Sequence, residues 1–263
     1  MVKIVHIIPN LKKGGAERLT IDICNGLTRK SDVTVRLVTF SDDNDYRYLT
    51  KNLNIICIPS EVKLSTFKTN YFNISKLQEF LNEFQPNIIH THLFEAEIVS
   101  RGLVFKKAKW FSHLHDFNHQ FDNISWKTIF KKNLITNYFE KRYLTKNYKK
   151  NGGNSFISIS KEIHNFYTNK ISKNFRIHYL PNCVDLNRFK SNKNKSITNE
   201  IRLINVGSFQ PKKNQSFLLD VVKRLVTENH KVNMIFIGSG KEMGKVKKKS
   251  NKLGLNDSIK FLG

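Results

Sequence analysis

The residues of this chain best suited to chemistry are two histidine pairs and a set of glycine turns. His90-Thr91-His92 and His113-Leu114-His115-Asp116 each set imidazoles two positions apart. Side chains at i and i+2 of a β-strand share a face, so either pair could chelate a metal ion. The spacing departs from metallohydrolase patterns such as H-x-H-x-D-H, and no cysteine stands near to help, so no metal is expected. Imidazole and carboxylate groups at the end of a strand suit hydrogen bonds to ligand hydroxyls or the handling of a proton.

The glycine turns point to anions. In Pro9–Arg18, Gly14 and Gly15 stand where a strand meets a helix, and free N–H groups and the helix dipole favour negative charge there. No G-x-G-x-x-G occurs, so a dinucleotide fingerprint is absent, and an ordinary glycine turn is the competing reading. Val206-Gly207-Ser208 leads through Phe209, Gln210 and Pro211 to Lys212 and Lys213, compact cations suited to phosphate at a helix entry. Ile237-Gly238-Ser239-Gly240-Lys241 repeats the strand-to-helix turn, and the lysines that follow read as a solvated face. Pro181–Phe189 reads as a Pro-initiated turn with Phe189 as an apolar anchor.

These groups need elements to hold them. Strands are expected at Val2–Ile8, Val33–Thr39, Asn54–Ile58, Asn87–His92, Lys109–Leu114, Ser155–Ile159 and Phe175–Leu180. A helix from about Gly15 to Arg29 is marked by Ala16, Leu19, Ile23 and Leu27, and another by Ile74, Leu77, Leu81 and Phe84. A long basic, aromatic stretch near Trp126–Lys146 reads as helical. Strands alternating with helices imply parallel, doubly wound sheets, because parallel neighbours need a crossover. Residues 181–200 are polar and aperiodic, which marks a linker between a domain at 1–180 and a partial one at 201–263. The second series has strands at Ile201–Val206, Val232–Ile237 and Ser258–Leu262, with helices near Lys213–Glu228 and Lys241–Lys252. So small a sheet leaves at least one face poorly covered.

Composition narrows the class. Of the 263 residues, 39% are hydrophobic and 25% charged, which is globular. No run approaches about 18 consecutive apolar residues, so no bilayer span is expected. Val2–Ile8 lacks the form of a signal peptide, which points to the cytoplasm. Cys24, Cys57 and Cys183 read as reduced thiols in or near a core. The net charge of +24 is partly what AT-rich codon usage would give, and it favours anionic surroundings such as phosphate or acidic lipid. No helix-turn-helix, zinc-finger or RNA-recognition string accompanies it, so nucleic acid is not an expected partner. Trp126, Lys127, Phe130, Lys131, Lys132, Lys141 and Arg142 could rest on an anionic membrane at its inner face, or form a solvent-facing helix.

Taken in order, the motifs resemble the family 4 glycosyltransferases of the GT-B fold. The resemblance rests on Gly14-Gly15-Ala16-Glu17, His90-Thr91-His92, His115-Asp116, Ser158-Ile159-Ser160-Lys161-Glu162 and Pro181-Asn182-x-Val184-Asp185-x-x-x-Phe189. It continues with Val206-Gly207, Lys213-Asn214-Gln215, Ile237-Gly238-x-Gly240 and Ile259-Lys260-Phe261-Leu262-Gly263. It implies an α/β, GT-B-like chain of two Rossmann-like doubly wound domains, the second incomplete. The implied activity is retaining transfer of a sugar from a nucleoside-diphosphate donor to a glycan or lipid-linked acceptor, as in surface polysaccharide synthesis. Neither cofactor nor catalytic metal is implied. The second domain would hold the donor and the first the acceptor.

By the same resemblance, Gly14 and Gly15 lie near the donor diphosphate, and Gly238 belongs to the donor-binding turn. His115 lies near the transferred sugar, Lys213 neutralises the leaving diphosphate, and Asp116 serves the acceptor side. Ser208 stands where the family often has arginine, so that phosphate clamp is absent or comes from Lys212. The family's paired glutamates, E-x7-E, lie beyond the F-L-G string that ends this sequence. By that pattern roughly a hundred residues of the second domain are lacking. The expectation is a truncated glycosyltransferase; the alternative is an inactive remnant or one half of a split enzyme.

Overall fold

The computed structural model describes residues 1–65, 69–121, 132–171, 175–186, 189 and 199–263. The chain divides into two compact units, Met1–Val184 and Asp185–Gly263. In the first, the order is β1 (Val2–Ile8), α1 (Gly15–Leu27), β2 (Val33–Thr39), β3 (Ile55–Cys57), β4 (Glu61–Lys63), β5 (Tyr71–Asn73), α2 (Ser75–Phe84), β6 (Ile88–His92) and α3 (Phe94–Ser100). There follow β7 (Lys109–Leu114), α4 (Lys132–Asn147), β8 (Ser155–Ser158), α5 (Lys161–Ile171) and β9 (Arg176–Tyr179). The second unit runs β10 (Glu200–Val206), α6 (Gln215–Thr227), β11 (Lys231–Ile237), α7 (Met243–Lys252) and β12 (Ile259–Leu262).

Seven parallel strands make the first sheet, in the order β3-β2-β1-β6-β7-β8-β9. The order reverses between β1 and β6, and the crevice at such a switch point, beyond the strands' carboxyl ends, is where open α/β sheets bind ligands. Helices cover both faces. Ile21 and Cys24 of α1 pack on Ile8, Val35 and Leu37, while Leu77 and Leu81 of α2 and Val99 of α3 pack on Val5, Ile7, Ile89 and Trp110. The antiparallel pair β4 and β5 stands apart from this sheet and breaks no alternation detectable in the sequence.

A buried ion pair ties α3 to the sheet. Arg101, 1% exposed, donates from Nε to Glu97 Oε1 at 2.8 Å and from Nη2 to Ser112 and Asn154 at 3.0 and 3.1 Å. Its guanidinium lies between the rings of Trp110 and Tyr148, 4.8 and 5.0 Å from their centres. Glu97 accepts further hydrogen bonds from Ser112 and Thr91. Both charges are thus taken from water and paired several times over, which is the condition for a buried pair to be tolerated.

In the second unit the sheet order is β10-β11-β12, all parallel. Val232, Met234 and Phe236 face α6 and α7, packing with Leu219, Val222 and Val246. On the other face Ile204, Val206 and Leu262 are 65%, 71% and 51% exposed, the poorly covered face expected of so few elements. Phe189, expected as an apolar anchor, is 63% exposed, and Cys183, expected in or near a core, is exposed as well. Cys183 lies in the run Pro181–Leu186, which has no regular secondary structure.

Removing one member of the buried pair isolates the other charge. Glu97→Ala is expected to cost the first unit about 3–5 kcal/mol of unfolding free energy, read by urea denaturation of the full chain.

Candidate functional site

The site is built from the register of three neighbouring strands. His6 of β1 pairs in register with His90 of β6, and His92 of β6 with His113 of β7. Because alternate residues share a face, His6, His90, His92, His113 and the following His115 all project to one side. They form a run of ring contacts. Centroids lie 4.9 Å apart for His6 and His90, 4.3 Å for His90 and His92, 5.1 Å for His92 and His113, and 4.4 Å for His113 and His115. His6 was invisible as a site residue in the sequence, since one histidine inside an apolar strand carries no spacing signal.

All five rings are neutral. Burial lowers His6 and His115 to about 4 and His113 to about 3, and lowers His90 and His92 well below the ordinary value. Their neighbours are one another, so any proton added would also be repelled by the next. Three hydrogen bonds link ring to ring: His6 Nδ1 to His92 Nε2 at 2.9 Å, His92 Nδ1 to His115 Nε2 at 3.2 Å, and His113 Nδ1 to His90 Nε2 at 3.2 Å.

One ring nitrogen from each of His6, His90 and His92, and likewise of His92, His113 and His115, lies within 4.8 Å of the others. Three neutral imidazoles could hold a divalent ion. Against that use, the rings of His113 and His115 are stacked, their planes 12° apart, so their in-plane lone pairs run side by side rather than converge. The donor set also brings no negative charge to offset a dication.

At the outer end of this run lies a cavity of about 140 Å³, lined by Leu93, Phe94, Glu97, His113, His115 and Asp116 among others. It lies past the carboxyl ends of β6 and β7, one strand along from the switch point between β1 and β6, and is also lined by Ser112 and Tyr148 of the ion-pair network. Asp116 accepts from the Phe117 N–H at 2.9 Å, and its carbonyl accepts from Tyr167 at 3.3 Å, so the turn carrying it is fixed. Leu93, between β6 and α3, has φ 69° and ψ 155°, a region occupied almost only by glycine. Such strain clusters at functional turns, and periodicity gave no sign of it.

The glycine turns divide. At Gly14, which caps α1, φ is extended, and its N–H donates to the Tyr46 hydroxyl at 3.0 Å. A Cβ at Gly14 would strike the Glu17 carboxylate, which folds back over the first turn of the helix. That carboxylate is the far end of a flexible side chain and could move aside, and the space around Gly15 is open. In the second unit Gly238 has φ +136°, and a Cβ there would fall on the Gly207 carbonyl. Lys212 and Lys213 lie in a short 3-10 turn, exposed, directly before Asn214 and α6, and the exposed Ser208 accepts from Gln215 through its carbonyl at 3.1 Å.

The neutral histidines set a pH dependence. An unfolded histidine titrates near 6.5, whereas these stay unprotonated to about 4 in the fold. The unfolded chain therefore binds more protons in that window, and stability is full above pH 6.5 and falls as pH drops towards 4. The slope is at most about 1.4 kcal/mol per pH unit for each ring. Urea midpoints recorded across the window should fall on acidification, and His6→Leu should flatten the curve by up to one proton.

Comparison with known proteins agrees with this architecture. A model of glycosyltransferase family 4 matches residues 13–188, and one of glycosyl transferases group 1 matches residues 187–263. The capsular polysaccharide biosynthesis glycosyltransferase CapH of Staphylococcus aureus is 25% identical over 288 residues, spanning 100% of this chain and 70% of that protein. A glycosyltransferase from Rickettsia africae superposes with a TM-score of 0.68 at 14% identity, covering 100% of this chain and 68% of the other. A TarM variant from S. aureus, in complex with fondaparinux, α-GlcNAc-glycerol and UDP, gives a TM-score of 0.63 at 13% identity, over 99% and 77% of the two chains. A family model matched across most of the chain, on two parallel α/β units, makes this protein a member of glycosyltransferase family 4 with the GT-B fold.

Proposed function

We propose that the chain transfers a sugar from a nucleoside-diphosphate donor to a glycan or lipid-linked acceptor, with retention of configuration, in the assembly of a surface polysaccharide. The observation that carries this reading is the chemistry at the switch point of the first sheet. Uncharged imidazoles end in His115, beside Asp116 and a small cavity, and such groups match a ligand made of hydroxyls. His115 faces the transferred sugar and Asp116 the acceptor side.

The second unit supplies the charge. Lys213 and Lys212 stand at the carboxyl end of β10 and ahead of the α6 N-terminus, where a compact cation and a helix dipole both favour a departing diphosphate. Ser208 and Gly238 are the proposed donor-binding residues of the second unit, and Gly14 and Gly15 are the proposed diphosphate-binding residues of the first. In support, CapH is a capsular polysaccharide biosynthesis glycosyltransferase, and the TarM variant was solved with UDP.

The proposed place of action is the cytoplasmic face of an anionic membrane, where lipid-linked acceptors reside. No described helix is long and apolar enough to cross a membrane. On α4, Ile135 and Tyr138 are exposed beside Arg142 and Lys146, a basic and partly apolar surface suited to acidic lipid. Trp126, Lys127, Phe130 and Lys131 of the same proposal lie outside the described residues, and the side chain of Lys132 is likewise not described.

The test is release of nucleoside diphosphate from a panel of UDP- and GDP-sugars with a lipid-linked acceptor, beside titration of UDP and GDP into the chain. Lys213→Ala and His115→Ala are each expected to lower turnover about 100-fold or more. Wild-type rates in both variants, or no binding of either nucleotide, would defeat the reading. Vesicles containing acidic lipid should sediment the protein in a salt-sensitive way, and equal sedimentation with neutral vesicles would remove the electrostatic part.

A further inference from the structure

His6 and His92 do more than fill the sheet face. His92 is hydrogen-bonded through both of its ring nitrogens, Nε2 to His6 and Nδ1 to His115. A neutral imidazole carries a single N–H, so one of its two nitrogens donates and the other must accept. All three rings are neutral in the fold, because burial disfavours the imidazolium at each. The two hydrogen bonds therefore share one polarity, and only two proton arrangements satisfy both.

In the first arrangement every ring is protonated on Nδ1. His6 donates to His92, His92 donates to His115, and His115 is left with an Nδ1–H pointing away from the chain of rings. In the second every ring is protonated on Nε2, and the donations run the other way. The inner end decides between them. His6 Nε2 is buried with no hydrogen-bond partner. Under the first arrangement that atom is a bare lone pair; under the second it is an N–H deprived of any acceptor. Orphaned buried N–H groups are rarer in folded proteins than under-satisfied acceptors, which favours the first arrangement.

We propose that His6 and His92 are positioning residues that hold His115 in its Nδ1–H tautomer, so that the ring presents a hydrogen-bond donor to substrate oxygen. The inference rests on the reading of His115 as a substrate-facing group. No described residue hydrogen-bonds to His115 Nδ1, so that donor is available to a ligand. His115 would then bind and orient an oxygen, and it could not accept a proton at Nδ1 unless the whole chain of rings reversed. The other pair, His90 and His113, is separate: its one ring-to-ring bond joins His113 Nδ1 to His90 Nε2 and reaches neither His92 nor His115.

Histidine side-chain tautomers can be read by long-range proton–nitrogen correlation spectra of the full chain labelled with nitrogen-15, at pH 7.5 and without substrate. The three rings are assigned by single substitutions. In the wild type His6, His92 and His115 should all show the Nδ1–H signature. His92→Leu removes the donor to His115 Nε2, and His115 should lose its fixed Nδ1–H state and become a tautomer mixture. His92→Gln, whose amide N–H can still donate, should restore it. The His113 signals report whether each variant is folded.

Where turnover is measured, His92→Leu should lower kcat/KM up to about tenfold, the worth of one well-aimed hydrogen bond, with recovery in His92→Gln. Three wild-type rings that do not share one tautomer, or a His115 that keeps its Nδ1–H signature in a folded His92→Leu chain, would overturn the proposal. The tautomers are read without substrate. A His115→Ala variant with full turnover would therefore sink the reading of His115 as a substrate-facing group and leave only the tautomer assignment of the three rings standing.

Discussion

The ion pair of Arg101 and Glu97 is the constraint on which the first unit turns. A guanidinium 1% exposed and a carboxylate 6% exposed could not remain charged there without the hydroxyls of Thr91 and Ser112, the amide of Asn154 and the rings of Trp110 and Tyr148. Those partners come from β6, β7, the turn before β8 and the end of the α4 segment. Satisfying one buried pair therefore fixes how four parts of the chain meet. Thr91 and Ser112 are themselves paired in register, so the network also holds β6 against β7.

That register determines the opposite face. With Thr91 and Ser112 turned towards α3, the residues on either side of them must turn the other way, and they are His90, His92, Phe111 and His113. One face of the central strands thus carries a compensated pair of charges, and the other carries imidazoles that burial keeps uncharged. A one-residue slip of β6 or β7 would turn imidazoles towards the Arg101–Glu97 pair and take Thr91 or Ser112 away from it. Polar residues in a sheet core are costly unless every partner is present, so this arrangement specifies a unique alignment more strictly than an apolar core would. The carboxyl-terminal rim, where His92, Leu93, His115 and Asp116 gather, inherits that precision.

Much of this was legible in the sequence. The strands at Val2–Ile8, Val33–Thr39 and Lys109–Leu114 coincide with the observed ones, because β-branched and apolar runs of that length have few alternatives. On α2, Leu77 and Leu81 are fully buried, as their spacing indicated. On α1 the expected stripe of Ala16, Leu19, Ile23 and Leu27 was rotated: the buried residues are Leu19, Thr20, Ile21 and Cys24. Thr20 escaped notice as an inward residue because its hydroxyl donates to the Ala16 carbonyl, which makes its burial cheap. The short helix α3 and the strands β4 and β5 were missed because they have too few residues to establish a period. Both histidine pairs could be placed at strand ends, but their union with His6 depends on strand order, which no local pattern encodes.

The second unit solves a different packing problem, and glycine is its means. The strands β10, β11 and β12 are each followed directly by a glycine, Gly207, Gly238 and Gly263, and the Gly207 and Gly238 N–H groups donate to the Ile237 and Leu262 carbonyls at 2.9 and 3.0 Å. A side chain at Gly238 would meet the Gly207 backbone, one at Gly263 the Gly238 backbone, and one at Gly240 the Phe209 backbone. Gly238 and Gly240 also have φ of +136° and +150°, which other residues adopt only under strain. Three strand ends can therefore lie against one another with nothing between them but backbone. The turn that carries Ser208, Lys212 and Lys213 is held close by the bond from Phe209 N–H to Ser239, at 2.9 Å. Bulk at any of these positions would spread the rim and move the lysines with it, which is why the glycines matter to charge placement although they carry none.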